Sequence, residues 1–231
     1  MSLPAAPRAV FLDVGGPIYD DQNFVDAVLT ALDEMSAQAG RGPVDRSAFA
    51  GVYDRIRAQQ GGSLRTALAT ELLGDAGARD ELHERTRAHW RHPAGTLYAD
   101  VLPFLGALSD DVVVGVLANQ EETVIEALTR DGVADHVDVW GVSAVVGYEK
   151  PSPELFRWCL REAGVSPGEA VHVGNRLDTD VRPASALGLG TVWVLRGEAP
   201  DRPTPEQLAE PDLAVPGLDG LAAALFPARG A

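Results

Sequence analysis

Asp13 stands directly after the apolar run AVFL and is followed by Gly15, Gly16 and Pro17. A carboxylate that leaves a buried strand at a glycine turn can meet a ligand at close range and can act as a nucleophile toward phosphorus or carbon. Far along the chain, Lys150 is the only lysine among 19 basic residues. In a chain that otherwise uses arginine, a compact ammonium is not interchangeable with a planar guanidinium. A lysine beside Asp13 would hold that carboxylate ionised and neutralise an anionic substrate. The string GNRLDTD, residues 174–180, adds the neutral oxygen donor Asn175 and the acids Asp178 and Asp180. An aspartate also serves as a turn residue or complements the start of a following helix, and those uses stay open here.

Such residues act together only if a scaffold gathers them. Residues 8–13 read as a short buried strand ending at Asp13. From Gln22 to about Gly40 apolar residues recur at helical spacing, and further helices are expected near 45–60, 63–74 and 78–91, separated by the turn signals GRGP, QGG and GDAG. After Pro93 the pattern alternates. Helices are expected over 100–109, 121–131, 153–163, 179–187 and 218–225, and strands over 112–118, 142–146, 170–174, 191–195 and 212–215. Strands apolar throughout and spaced by helices indicate a parallel sheet covered on both faces. The expected fold is therefore an α/β core, residues 1–18 and 95–231, interrupted after its first strand by a helical insert over 19–94. Segment 199–211 reads as a proline-rich surface connection.

In an open parallel sheet, ligands bind beyond the carboxyl ends of the strands. The exits supply Asp13 with Gly15 and Gly16, Ala118 with Asn119, Lys150, and Asn175 through Asp180 as candidates. Tyr19, Asp20 and Asp21 follow the first strand closely enough to reach the same pocket. His89 and His92, three residues apart, lack a third metal ligand. Cys159 and Trp193 sit within apolar periodic runs and read as core.

Composition narrows the partners. A net charge of −15 sets the chain's field against nucleic acid and anionic membranes, which leaves a small molecule as the expected ligand. With one cysteine no internal disulfide forms. No apolar run reaches the length of a membrane span, and the opening MSLPAAPRAV has no signal-peptide pattern, so the expected location is the cytoplasm.

The strand ending in Asp13, the helical insert after it, VGYEKPSPELF around Lys150 and VHVGNRLDTDVRPASALGLGTVWVLRG together resemble the haloacid dehalogenase superfamily over about residues 8–225. The resemblance implies a Rossmann-like core with a helical cap in the first insertion position. It places Asp13 at the nucleophile position, Lys150 at that of the charge-stabilising lysine, and Asp180 at the second acid of the last motif. The candidate magnesium ligands are then Asp13, Asn175 and Asp180, with binding expected to be weak or absent, and the candidate substrate-lining residues are Gly15, Gly16, Ala118, Asn119, Asn175 and Tyr19.

The departures are specific. Gly15 replaces a general acid/base aspartate, Pro17 a threonine, Ala118 a serine or threonine that bonds the phosphoryl oxygen, and Asn175 a magnesium-binding aspartate. A missing general acid costs about 10²- to 10⁴-fold in rate. A missing oxyanion donor costs about 3 kcal/mol, and magnesium prefers carboxylate to a neutral amide. The expected function is a hydrolase acting through Asp13 on a small organic molecule, phosphorylated or not, with weak or absent magnesium binding. Two alternatives stand beside it: a binding, regulatory or repurposed protein on the same fold, and a metal-independent dehalogenase.

Overall fold

The computed structural model describes residues 3–227. Residues 1–2 and 228–231 of the two expected core segments lie outside the described residues. Six strands pair in parallel: β1 (Ala9–Leu12), β2 (Val113–Ala118), β3 (Val139–Val142), β4 (Ala170–Gly174), β5 (Gly190–Val194) and β6 (Leu213–Val215). Their order is β3-β2-β1-β4-β5-β6. β1 thus lies between β2 and β4, where successive connections depart in opposite directions, the position beyond whose carboxyl end open parallel sheets bind ligands.

In the core unit the helices are α5 (Val101–Gly106), α6 (Thr123–Arg130), α7 (Ser143–Val146), α8 (Pro153–Ala163), α9 (Arg182–Leu187), α10 (Pro205–Leu208) and α11 (Leu221–Leu225). Because strand side chains alternate, one set of strand residues packs on each face. Val10, Leu12, Val116 and Val173 meet Phe104 of α5, Leu128 of α6 and Leu221 of α11. Ala9, Phe11 and Leu117 meet Leu155, Phe156 and Cys159 of α8 and Ala184 of α9. The doubly covered sheet expected from the uniformly apolar strands is the one observed.

Two features differ from the sequence reading. The strand expected over 142–146 lies at Val139–Val142, in register with Gly115–Ala118 of β2, and Ser143–Val146 form a helical turn. Gly141 is the cause on the inner side, since a Cβ there would lie 2.2 Å from Cys159 Sγ. On the outer side the Ser143 hydroxyl is held by Gln120, and Gly147, at φ +81°, ends the turn. Before α9 the chain makes a π-helical turn, Leu177–Val181, instead of a simple helix start. Asp180 sits on that turn.

Residues 21–93 form a separate compact unit. It comprises α1 (Gln22–Gln38), α2 (Arg46–Gln59), α3 (Leu64–Leu68) and α4 (Arg79–His89), with a π-helical turn Ala69–Leu73 after α3. Its own core is built from Val28, Leu32, Phe49, Ile56, Leu68 and Leu82. Asp45 and Ser63 cap α2 and α3 by accepting from the amides of Ser47 and Thr66. His89 pairs with Glu34 at 2.8 Å, while the His92 ring lies against Trp90. Among the described residues no helix is long and apolar enough to cross a membrane.

Candidate active site

The site is assembled at the exits of the three central strands. Asp13 follows β1, and its backbone N–H donates to the Val173 carbonyl of β4 at 2.8 Å, which fixes the carboxylate at the strand exit. Its side chain is 15% exposed. Lys150 Nζ lies 2.9 Å from Asp13 Oδ1 and 2.5 Å from Asp180 Oδ1. The lone lysine is therefore shared by two carboxylates.

Local structure forces this convergence. Gly174 ends β4 without a side chain, and a Cβ there would fall 2.4 Å from the Asp180 Cβ, so only glycine lets the π turn fold back against the strand. Asp180 is completely buried, and its Oδ2 accepts from the Arg176 amide at 2.9 Å. His172 of β4 reaches Oδ1 with Nε2 at 3.2 Å. Lys150 is aimed by Asn119, whose carboxamide accepts from the Lys150 amide at 2.7 Å and donates to the Lys150 carbonyl at 2.8 Å.

The two carboxylates are held unequally. Burial disfavours charge on both. At Asp180 the lysine and His172 outweigh that penalty and hold its carboxyl well below the usual carboxylate range. At Asp13 burial, reinforced by the negative Asp180, outweighs the shared lysine and raises its carboxyl above the ordinary value. Lys150 remains firmly charged, because Asp13 and Asp180 together overcome the burial of its ammonium.

A second network holds the turn after β1. Arg196, just past β5, donates from Nε to the Gly16 carbonyl at 2.7 Å and from Nη2 to the Pro17 carbonyl at 2.5 Å. Its Nη1 donates to Asp100 Oδ2 at 2.8 Å, and its guanidinium lies 3.8 Å from the Tyr98 ring centroid. Asn175 is the wedge between turn and loop: its Nδ2 donates to the Arg196 carbonyl at 3.2 Å, and the Asn175 carbonyl accepts from Trp193 Nε1 at 2.9 Å. Gly16 adopts φ +83°, and a Cβ on it would lie 2.1 Å from Asn175 Nδ2. A Gly16→Ala substitution is expected to destabilise the protein by about 1 to 3 kcal/mol, through positive-φ strain and displacement of Asn175. A lower urea midpoint with an unchanged slope would register it.

The other expected site residues have their own partners in the structure. Asn119 uses both ends of its amide on the Lys150 backbone and so aims the lysine. Tyr19 is fully buried, and its hydroxyl donates to Asp131 at 2.8 Å, at the far end of α6. Burial and that bond push the phenol well up. Asp178 pairs with Arg176 at 2.7 Å, leaving the lysine to Asp180. Ala118 is fully buried at the end of β2 and brings no hydroxyl to the exit. Gly15 brings no acid. His172, Arg176 and Arg196 were not singled out by the sequence reading, since their partners emerge only from the fold.

The fit to magnesium can be judged from the donors. Both oxygens of Asp180 accept from protein groups, and Asn175 is 2% exposed with its amide turned to Arg196. Among the described residues no group of three or more histidine, cysteine or acidic side chains is placed to hold a metal ion. Of the three expected ligands only Asp13 keeps partial exposure, 15% of its side chain, a donor set that does not fit a magnesium site of the expected composition.

A doubly wound parallel sheet with an aspartate at the exit of its central strand, a lysine joining that aspartate to a second one, and a helical insertion after the first strand define a Rossmann-like α/β protein with its candidate site at the strand exits. A family model of haloacid dehalogenase-like hydrolases matches residues 7–188, and the chain belongs to that family. The phosphoserine phosphatase of Thermus thermophilus is 35% identical over 164 residues, covering 68% of this chain and 63% of that protein. The glyceraldehyde 3-phosphate phosphatase of Methanopyrus kandleri is 37% identical over 110 residues, covering 45% of this chain and 46% of that protein. The chain spans less than two thirds of the length of these curated relatives. The crystal structure of a HAD phosphatase from Thermococcus onnurineus shares the fold, with a TM-score of 0.64 at 24% identity over 94% of this chain and 97% of that one.

Proposed function

We propose that this protein is a phosphatase-type hydrolase of a small phosphorylated molecule, with Asp13 as nucleophile and Lys150 as the charge that keeps it reactive. The observation that carries the reading is the shared ammonium, 2.9 Å from Asp13 and 2.5 Å from Asp180 at the exit of the central strand. A lysine so held stabilises the Asp13 carboxylate and offers positive charge to an incoming phosphate. The phosphatase names of the relatives agree with it.

In the proposed reaction an Asp13 oxygen bonds to phosphorus while the bond to the leaving alkoxide breaks. Water then cleaves the aspartyl phosphate, returning the carboxylate and releasing inorganic phosphate. With glycine at position 15, the leaving oxygen takes its proton from solvent, which favours substrates whose leaving group is a weak base. The helical unit of residues 21–93 is proposed to serve as the cap that selects the substrate, and a soluble cytoplasmic setting agrees with the charge. Asp13, Asn175 and Asp180 were the expected magnesium ligands; with Asp180 bound to Lys150, His172 and the Arg176 amide, turnover is proposed to depend weakly on the ion. That same donor set favours one second reading, metal-independent chemistry at Asp13 on carbon instead of phosphorus.

The test is hydrolysis of an aryl phosphate by the wild type and by Asp13→Asn, each with and without Mg²⁺. Turnover present in the wild type and at least about 10³-fold lower in the variant supports covalent phosphate chemistry. Equal rates in the two proteins would sink it.

A further inference from the structure

His172 lies in the middle of the apolar strand β4 and is 1% exposed. Its neighbours in register are Phe11 on β1 and Thr191 on β5, and its ring meets Phe156 of α8 edge-on at 5.3 Å. Nothing in packing calls for an imidazole there, where the other strand positions are apolar. One ring nitrogen, Nδ1, has no hydrogen-bond partner, while Nε2 faces Asp180 Oδ1 at 3.2 Å. A neutral imidazole in this setting carries its proton on Nε2, the only nitrogen with an acceptor, and donates it to the carboxylate.

Asp180 Oδ1 therefore receives two donors, Nε2 of His172 and Nζ of Lys150, while Oδ2 receives the Arg176 amide. With three donors around it, the carboxylate has one orientation. The lysine it binds is the one that also binds Asp13. We propose that His172 is a positioning residue: by fixing the Asp180 carboxylate it sets where the Lys150 ammonium stands, and so sets the lysine's distance to Asp13. Without the imidazole, Oδ1 has Lys150 alone, the carboxylate is free to turn about the Arg176 bond, and the ammonium follows it away from Asp13.

The consequence for turnover rests on the proposed reaction, but the consequence for the lysine does not. Because Lys150 is the only lysine in the chain, protein labelled with ¹⁵N at lysine Nζ gives a single side-chain ammonium signal. His172→Gln keeps a nitrogen donor at the reach of Nε2; His172→Phe fills the site without one. The signal of the glutamine variant is expected at the wild-type position. That of the phenylalanine variant is expected to shift, with hydrogen exchange about tenfold faster, the factor for loss of one hydrogen bond to a charged group. If the protein hydrolyses aryl phosphate, kcat is expected to drop about 10- to 100-fold in the phenylalanine variant at unchanged KM, and to recover in the glutamine variant.

An unchanged signal and exchange rate in His172→Phe overturns the proposal, as does a glutamine variant altered as much as the phenylalanine one. Should His172→Phe fail to fold, His172→Asn, one methylene too short to reach Asp180, replaces it in the same comparison. The ammonium signal needs no substrate, so absent turnover counts against the proposed reaction alone and leaves the role of His172 decided by the spectrum.

Discussion

Replacing Lys150 with methionine is expected to abolish turnover and to lower stability by about 3 to 5 kcal/mol at neutral pH, with the loss shrinking as the solution is acidified. The side chain is similar in volume, so the effect is one of charge. In the native protein one ammonium, 3% exposed, compensates two carboxylates of which one is fully buried. Without it Asp13 and Asp180 face each other with no ammonium between them, Asp180 keeping only the His172 and Arg176 donors, and both are expected to take up protons in the folded state at a pH where the unfolded chain holds them ionised. The pH dependence gives the sign. In the wild type Asp180 has a folded value below its unfolded 3.8, so its stabilisation is present above that value and is lost as pH falls through the lower folded one. In the variant both acids are expected to have raised folded values, and stability is then expected to fall as pH rises through the unfolded carboxylate range. Denaturation free energies measured from pH 4 to pH 7 should therefore diverge between the two proteins, with the gap widest at pH 7. Parallel curves would mean that the lysine is not paying for the buried carboxylates.

Much of this arrangement could be read from residue types and much could not, for a physical reason. Asp13, Lys150 and Asp180 are legible because each breaks its background: an acid ending an apolar strand, a lysine in an arginine-rich chain, an acid in a glycine-led turn. The fold is legible because β1, β2, β4 and β5 are almost wholly apolar and buried on both faces, as a covered parallel sheet requires. β3 was displaced because VSAVV looks like a strand, while the true strand VWGV contains a glycine demanded by Cys159 of another element. His172 reads as one more inward residue until sheet register and the π turn bring Asp180 beneath it. Asn119 and Lys150, 31 residues apart, and Arg196 and Gly16, 180 apart, form bonds that no local periodicity encodes. Local pattern reveals which elements form and which residues sit at their ends; polar partnerships between elements depend on register and close approach.

The same unequal sharing of one lysine leads to opposite expectations for the two aspartates. Asp13→Asn is expected to raise stability by about 1 kcal/mol at pH 7 while removing turnover, the exchange of activity for stability common at reactive sites. Asp180→Asn is expected to lower stability by about 3 kcal/mol or more, as removal of one partner from a buried, hydrogen-bonded pair does. Asp13 carries its charge against burial and against Asp180, which is why its carboxyl is raised. An amide there leaves Lys150 and Asp180 as a balanced pair and still offers the ammonium an oxygen. At Asp180 an amide loses the charge that balances Lys150, and it turns an NH₂ toward one side of a carboxylate that had accepted from Lys150, His172 and the Arg176 amide. The gain from Asp13→Asn has its own pH signature. Since the folded value of Asp13 is raised, its destabilising charge is present above that value and gone below the unfolded 3.8, so the gain should vanish on acidification. Thermal melts at pH 7 give the comparison directly, with Tm rising about 2 to 4 °C for Asp13→Asn and falling by a multiple of that for Asp180→Asn. A fall in both would show that Asp13 is held as firmly as Asp180, and that the lysine is divided evenly between them.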